Sequence, residues 1–353
     1  MRKAVKIGFI GVFCAVIGLA FPVFNIFSKQ LSMDSHENRL MTGLPQVLQS
    51  PLRELPRNLD NFLVDNSPFR YQFVLVNAGL DYALFGTSQS DQVLPGKDGW
   101  LFYKDGPNAA QPMANYQGLA ELNDSADTLA EASAGLQILS DKLAENGCTL
   151  VLDLTPSKDR IYREYMPDGY PIVNEENRTD LLVDYLQSHT TVPVNWPYQE
   201  LRRQARLNPD RLLYYKTDTH WNSIGALYGL DGIFDALGLP ILQPGDYPVE
   251  PAGTTTGDMA NVAALYASLP PEQTYTVPGY ADLFAKDDRV VRVIGDSFSE
   301  YYMPYLEARF ATTWREHIDS FDPAVVEQPG CDILILEFNE RSLDKLLAIL
   351  DSI

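Results

Sequence analysis

Two short stretches carry side chains suited to nucleophilic serine chemistry. In VRVIGDSFS, residues 291–299, Ser297 follows an apolar, strand-like run and precedes a helix-like one. A serine so placed has its hydroxyl at a sheet edge and its backbone N–H at a helix N-terminus, where developing negative charge is stabilised. Gly295 permits a sharp turn just before it. In KTDTHWNSIGA, residues 216–226, Asp218 and His220 stand two apart. On an extended segment that spacing points both side chains the same way, so the carboxylate can hold the imidazole tautomer a general base needs. Each stretch also has a plain structural reading. Asp296 or Ser297 would serve as N-cap of a helix beginning near Glu300, and Asp218-Thr219-His220 as a polar turn capping a helix that starts near Ser223. Serine chemistry needs both a hydroxyl and a base, so the two stretches reinforce one another. The other histidines suit the base less well: His36 lies near the apolar N-terminal segment, His189 ends an exposed-looking helix and His317 lies within a strand-like run.

The elements that must position these groups alternate along the chain. GWLFYKD reads as an edge strand, SADTLAEASAGLQILSDKLAENG as a helix closed by Gly147, TLVLDLTP as a buried strand and RTDLLVDYLQSH as a helix. TVPVNW reads as a strand and IGALYGLDGIFDALG as a helix, with His220 at a strand end before it. Then follow the strand and helix around Ser297, the strands TTWREHID and CDILILEF, and the helix RSLDKLLAILDSI. Apolar runs alternating with helices imply a parallel sheet covered on both faces, and in such sheets function collects at the carboxyl ends of the strands. Residues 241–288, rich in Pro, Gly, Thr and Tyr without clear periodicity, read as a long irregular insertion that acts as a functional loop or lid.

The N-terminus bounds the setting. Arg2, Lys3 and Lys6 precede a stretch from Ile7 to Ser28 that holds no charge, long enough to span a bilayer as a helix and ending in bulky residues instead of a small-residue cleavage site. It reads as an uncleaved signal anchor, with the basic tip cytoplasmic and everything after Lys29 outside. The formal net charge is −20. Beyond residue 28, 24 basic side chains face 47 acidic ones, or −23, a surface that repels phosphate backbones and argues against a nucleic-acid partner. Cys148 and Cys331 each open an apolar strand-like run, which leaves both a disulfide and two separate buried thiols open. No metal-ligand spacing links the Cys and His residues, and no cofactor is expected.

The motifs in order carry a resemblance. ENR at 37–39, SPFR at 67–70, GKDGWLFY at 96–103, DTHWN at 218–222, GDSF at 295–298 and DILILEFNER at 332–341 together resemble the SGNH hydrolase-like acyltransferases that O-acetylate exported polysaccharides, typified by the alginate acetylation proteins. In that family the His block precedes the Ser block, the reverse of ordinary SGNH hydrolases, and this chain has that permuted order. The resemblance implies an α/β fold, an SGNH hydrolase-like (flavodoxin-like) parallel sheet with helices on both faces, preceded by a transmembrane helix. Residues 1–28 would be the cytoplasmic tip and anchor, 29–95 an extracytoplasmic extension, and 96–353 the catalytic domain with the 241–288 insertion.

Carried across, the family pattern makes Ser297 the nucleophile, His220 the general base and Asp218 its orienting group. Family members take an acetyl group onto the serine and pass it to a sugar hydroxyl, and a membrane-bound O-acyltransferase commonly delivers that group across the bilayer. The implied partners are thus a polysaccharide acceptor, such a donor and the membrane, through residues 7–28. Ordinary SGNH enzymes complete an oxyanion hole with a Gly and an Asn; the Gly has no evident counterpart here. Asn339 is a candidate for the Asn and equally for the N-cap of the last helix. Lys158, after a strand in TPSKDRIY, is a candidate for meeting an anionic or carbohydrate substrate or simply a solvated lysine. Trp100, Tyr103 and Trp221 are candidates to stack on sugar rings or to fill the core. Arg315 is a further substrate candidate, and Arg341 has no assigned role. An O-acetyltransferase leads; an acetylesterase using the same three residues and a non-catalytic polysaccharide-binding module are the alternatives.

Overall fold

The computed structural model describes residues 2–27, 42–65, 70–105, 111–122, 125–243 and 245–353, with side chains in the first helix described at 6–16, 18 and 19. ENR, His36 and most of SPFR lie outside the described residues. The chain divides into two compact units. The first, residues 1–89 and 261–268, holds helices Arg2–Phe27, Leu44–Leu48, Leu55–Asp65 and Arg70–Phe85. Within it the rings of Tyr71 and Tyr266 stack with centroids 6.3 Å apart. Ile7, Phe9, Ile10, Val12, Phe13, Val16 and Leu19 of the first helix are exposed. Among the described residues searched, no helix is long and apolar enough to cross a membrane.

The second unit, residues 90–260 and 269–353, holds all nine described strands: β1 (Val93–Pro95), β2 (Leu101–Tyr103), β3 (Thr149–Thr155), β4 (Val194–Asn195), β5 (Glu250–Thr255), β6 (Glu272–Thr276), β7 (Asp287–Gly295), β8 (Phe310–His317) and β9 (Ile333–Asn339). Five of them form a parallel sheet in the order β4-β3-β9-β7-β8. The period-two alternation of a strand sends neighbouring side chains to opposite faces. Val151, Val291, Val293, Ile333 and Ile335 join one core with Trp221 and Phe298, while Leu150, Leu152, Leu154, Leu334 and Leu336 join the other with Leu136 and Leu346. All of β9 is buried, which is why its first four residues read as a continuous apolar run instead of alternating. Helices Ser125–Glu145, Arg178–His189 and Leu343–Asp351 contribute to the second core. Asn177 caps the middle one, accepting from the N–H groups of Thr179 and Asp180.

Four expectations change. GWLFYKD is no edge of the main sheet: β2 pairs antiparallel with β1 in a separate hairpin. IGALYGLDGIFDALG is two short helices, Ser223–Gly229 and Asp231–Ala236, meeting at Leu230. Part of 241–288 is regular, since β5 and β6 form an antiparallel hairpin; its exposed Pro- and Gly-bearing strand, with a register shift between Pro251 and Gly253, shows no alternation to read. His220 is not at a strand end but in a loop of bends closed by an isolated bridge between Tyr214 and Trp221. Cys148 and Cys331 begin the neighbouring β3 and β9 region as free thiols with Sγ atoms 3.6 Å apart.

Candidate active site

Ser297 begins a 3₁₀ turn directly after β7. The approach of β9 to that turn requires Gly295, because a Cβ there would come within 2.6 Å of Glu337 Oε2 and 2.9 Å of Ser299 Oγ. Asp296 does cap the turn, Oδ1 accepting from Phe298 N at 2.9 Å, while Oδ2 accepts from Asn339 N at 2.9 Å and ties the turn to the end of β9. From β8, Arg315 donates Nε to Ser299 Oγ at 2.6 Å and Nη2 to the Asp296 carbonyl at 2.7 Å, with Nη1 3.1 Å from Glu300. Arg315 therefore braces the serine turn with its donors and is committed to protein groups.

The loop of His220 is built as a turn, not an extended segment. Asp218 Oδ1 accepts from His220 N at 3.0 Å and lies 2.7 Å from His220 Nδ1. The other ring nitrogen, Nε2, lies 2.7 Å from Ser297 Oγ, so residues 77 apart in sequence meet. The ring is stacked on Tyr301, centroids 5.3 Å apart, and tilted against Phe298 at 4.9 Å. Burial works to raise the Asp218 carboxyl, but the hydrogen bond and charge of His220, with the N–H donors of Asp258 and His220, hold it below its ordinary value. A carboxylate on Nδ1 places the proton there and turns the lone pair of Nε2 toward the serine hydroxyl.

Lys158 is neither solvated nor turned to a substrate. It is 4% exposed, and Nζ donates to the carbonyl oxygens of Tyr215, Lys216 and Asp218 at 3.0, 2.9 and 2.5 Å. Its three ammonium hydrogens thus meet three loop carbonyls, replacing water as partner. Burial pushes its pKa down to about 7, opposed by the charges of Glu272, Asp218 and Asp258. Glu272 on β6 holds the same loop, accepting from the backbone of Lys216 and from Thr217 N at 2.8 Å. Trp221 is core: it is fully buried against Phe298 and donates Nε1 to the Phe298 carbonyl at 3.0 Å. Trp100 is likewise fully buried. Asn339 caps not the last helix, which starts after Ser342, but the 3₁₀ turn Glu340–Ser342 before it, with Oδ1 accepting from Arg341 N; its Nδ2 donates to the Thr155 carbonyl at 3.0 Å. Arg341 lies over the rings of Tyr103 and Phe298, 5.1 and 5.4 Å from their centroids.

Beneath the serine turn sit buried acids. Burial raises Asp153 to about 7 although Asn195 Nδ2 donates to it at 2.7 Å, and Glu337 is raised well above the usual range by burial and by the charges of Asp296 and Asp153. A cavity of about 370 Å³ backs the His220 loop, lined among others by Tyr215, Lys216, Thr217, Glu272 and Tyr275, but none of Asp218, His220 and Ser297 lines it. The ligand atoms of Asp218, His220 and Asp258 lie within 4.8 Å of one another, as a metal cluster would need. Hydrogen bonds inside the turn already occupy them.

Gly257 and Asp258, unremarked in the sequence, touch this turn. A Cβ on Gly257 would come within 2.1 Å of the Thr217 carbonyl group, so only glycine allows the two segments to meet. The lone signal was the Gly-Asp pair in TTTGDMA, inside a segment without periodicity.

Residues 93–313 match the family described as SGNH hydrolase-like domain, acetyltransferase AlgX. The chain is 26% identical over 243 residues to the probable alginate O-acetylase AlgJ of Pseudomonas putida, covering 63% of this chain and 58% of the relative. It is 26% identical over 330 residues to the protein of that description from Pseudomonas syringae pv. tomato, covering 85% of this chain and 74% of the relative. Among solved structures, the O-acetyltransferase domain of Pseudomonas putida AlgJ superposes with a TM-score of 0.49 at 18% identity, over 74% of this chain and 98% of that one.

Proposed function

Because the chain belongs to the SGNH hydrolase-like acetyltransferase family, we propose that it is an extracytoplasmic O-acetyltransferase, anchored through residues 7–28, that carries acetyl groups on Ser297 to hydroxyls of a cell-envelope or secreted polysaccharide. The observation that carries this reading is the pair of 2.7 Å contacts that joins Asp218 to His220 and His220 to Ser297. The description of its relatives as alginate O-acetylases supports the acetyl group and the polysaccharide acceptor.

The chemistry follows from these groups. His220 Nε2 takes the proton of Ser297 as Oγ attacks the acetyl carbonyl, and Asp218 stabilises the imidazolium that forms. Collapse expels the donor's leaving oxygen with that proton and leaves acetyl-Ser297. The same nitrogen then deprotonates a sugar hydroxyl, which attacks the acetyl-enzyme and frees the serine. A membrane-bound O-acyltransferase would supply the acetyl group, and anchoring would keep Ser297 near the lipid surface where it is released. Incubation with p-nitrophenyl acetate tests the reading: mass spectrometry should find one acetyl adduct on the native chain and none on Ser297→Ala. No adduct under any condition would leave a binding module in its place, and release of free acetate unaffected by added polysaccharide would indicate an esterase.

A further inference from the structure

Asp218 is not alone in serving His220. Asp258, 40 residues further along at the start of the short helix Asp258–Val262, closes a reciprocal clamp on the same turn. Its backbone N–H donates to Asp218 Oδ2 at 2.9 Å; its Oδ1 accepts from Thr219 N at 2.8 Å and its Oδ2 from the Thr219 hydroxyl at 2.6 Å. Thr219 Oγ1 in turn lies 3.1 Å from His220 Nδ1, and Asp258 Oδ2 is itself only 3.9 Å from that nitrogen. Gly257 packs on the Thr217–Asp218 backbone to let this happen. The Asp258 side chain is 44% exposed, so it is not a core acid held for packing.

We infer that Asp258 is a positioning residue for His220, acting through the direction of the Thr219 hydroxyl. A threonine hydroxyl beside an imidazole nitrogen has one hydrogen and can face either way. Donating to Nδ1, it favours the tautomer with hydrogen on Nε2, whose lone pair no longer faces Ser297. With its hydrogen drawn to Asp258, it only accepts, so Nδ1–H is shared between Asp218 and Thr219 and Nε2 stays free to take the serine proton. Asp258 also supplies a second negative charge near the imidazolium formed during acyl transfer. Two carboxylates thus govern one ring, one by direct contact and the other by fixing the proton of its neighbour.

The inference rests on His220 being the base for Ser297, and the experiment separates the two. Acetylation of the full-length chain in detergent by p-nitrophenyl acetate is followed as p-nitrophenolate release and as acetyl-Ser297. In that step the serine Oγ–carbonyl bond forms, the ester C–O bond breaks and the serine proton leaves by His220 on p-nitrophenol. Asp258→Asn presents an amide that donates to Thr219, turns its hydroxyl toward Nδ1 and lowers kcat about tenfold with KM within about twofold. Thr219→Val, which has no hydroxyl to misdirect, loses less than Asp258→Asn, and Thr219→Ser, which keeps the hydroxyl, recovers most of what Thr219→Val loses. The downfield proton resonance of His220 Nδ1–H weakens in Asp258→Asn and persists in Thr219→Ser. An Asp258→Asn rate within about twofold of native, or a loss confined to KM with that resonance unmoved, overturns the inference. Should Asp258→Asn fail to fold, Asp258→Ala carries the test, since it leaves the Thr219 hydroxyl free to donate to Nδ1, and native rate and resonance in that variant overturn the inference. Unchanged acetylation of Ser297→Ala would instead overturn the nucleophile itself.

Discussion

The indole N–H of Trp221 donates to the carbonyl oxygen of Phe298 at 3.0 Å, and each partner directly follows one of the two residues proposed to react, His220 in one case and Ser297 in the other. One buried hydrogen bond therefore sets the separation of the two loops independently of the contact between base and hydroxyl. Trp221→Phe keeps most of the buried ring and removes the donor. It should destabilise the fold by about 2 kcal/mol and lower the acetylation rate about tenfold with little change in KM. A variant of native rate and lowered stability would show that the bond serves folding only; urea titration and burst kinetics together decide.

His220→Gln should abolish acetyl-enzyme formation while the far- and near-UV circular dichroism stay native. Asp218→Asn should be severe but less so, because the ring remains and only its favoured tautomer is lost. Near-normal acetylation by His220→Gln would remove His220 from the reaction.

Lys158→Met fills the same buried space and leaves the carbonyls of Tyr215, Lys216 and Asp218 without their donor. Unsatisfied buried acceptors cost about 1–3 kcal/mol each, which the loop can relieve only by moving. We expect a loss of about 3 kcal/mol in stability and a fall in kcat of at least about tenfold, as Asp218 leaves its register with His220. Native kcat in a folded Lys158→Met chain would sink the assignment.

Asp153 gives a pH dependence of defined sign. Burial raises its carboxyl to about 7, so between the ordinary carboxylate range and pH 7 the native state holds a proton that the unfolded chain has lost. Its contribution is fully present below about pH 4 and is lost as pH rises through about 7, with a ceiling of about 4 kcal/mol. Glu337 has the same sign, so the test is a comparison. Unfolding free energies measured from pH 4 to 8 should fall less steeply in Asp153→Asn, which keeps an acceptor for Asn195, than in the native chain; identical slopes would exclude Asp153 as the source.

The sheet was legible because its strands are apolar runs between capped helices, and the helix expected to start near Ser223 does start there, with Asn222 as its cap. The proximity of Ser297 to His220 followed from asking what each motif lacked. Other features were hidden by long-range substitution of partners. Lysines normally seek water, and only the folded loop shows that three carbonyls replace it around Lys158. Asp258 has no local mark of its role because its partners, Asp218 and Thr219, lie across a hairpin whose exposed Pro and Gly residues erase strand periodicity. Trp221 showed an aromatic ring suited to stacking or to the core, and its burial settles which.

The position of β9 has a consequence for how the molecule is made. Although it comes after every other described strand, it lies between β3 and β7, so before residues 333–339 are available the sheet exists only as two separate pairs, β4-β3 and β7-β8. Each pair then exposes a long unpaired edge that invites association with other chains. The alignment of the serine turn with the end of β9, through Asp296 and Asn339, waits on the same event. Assembly should therefore be slow, dominated by contacts between distant parts of the chain, and the serine turn should take its place only in its final stage.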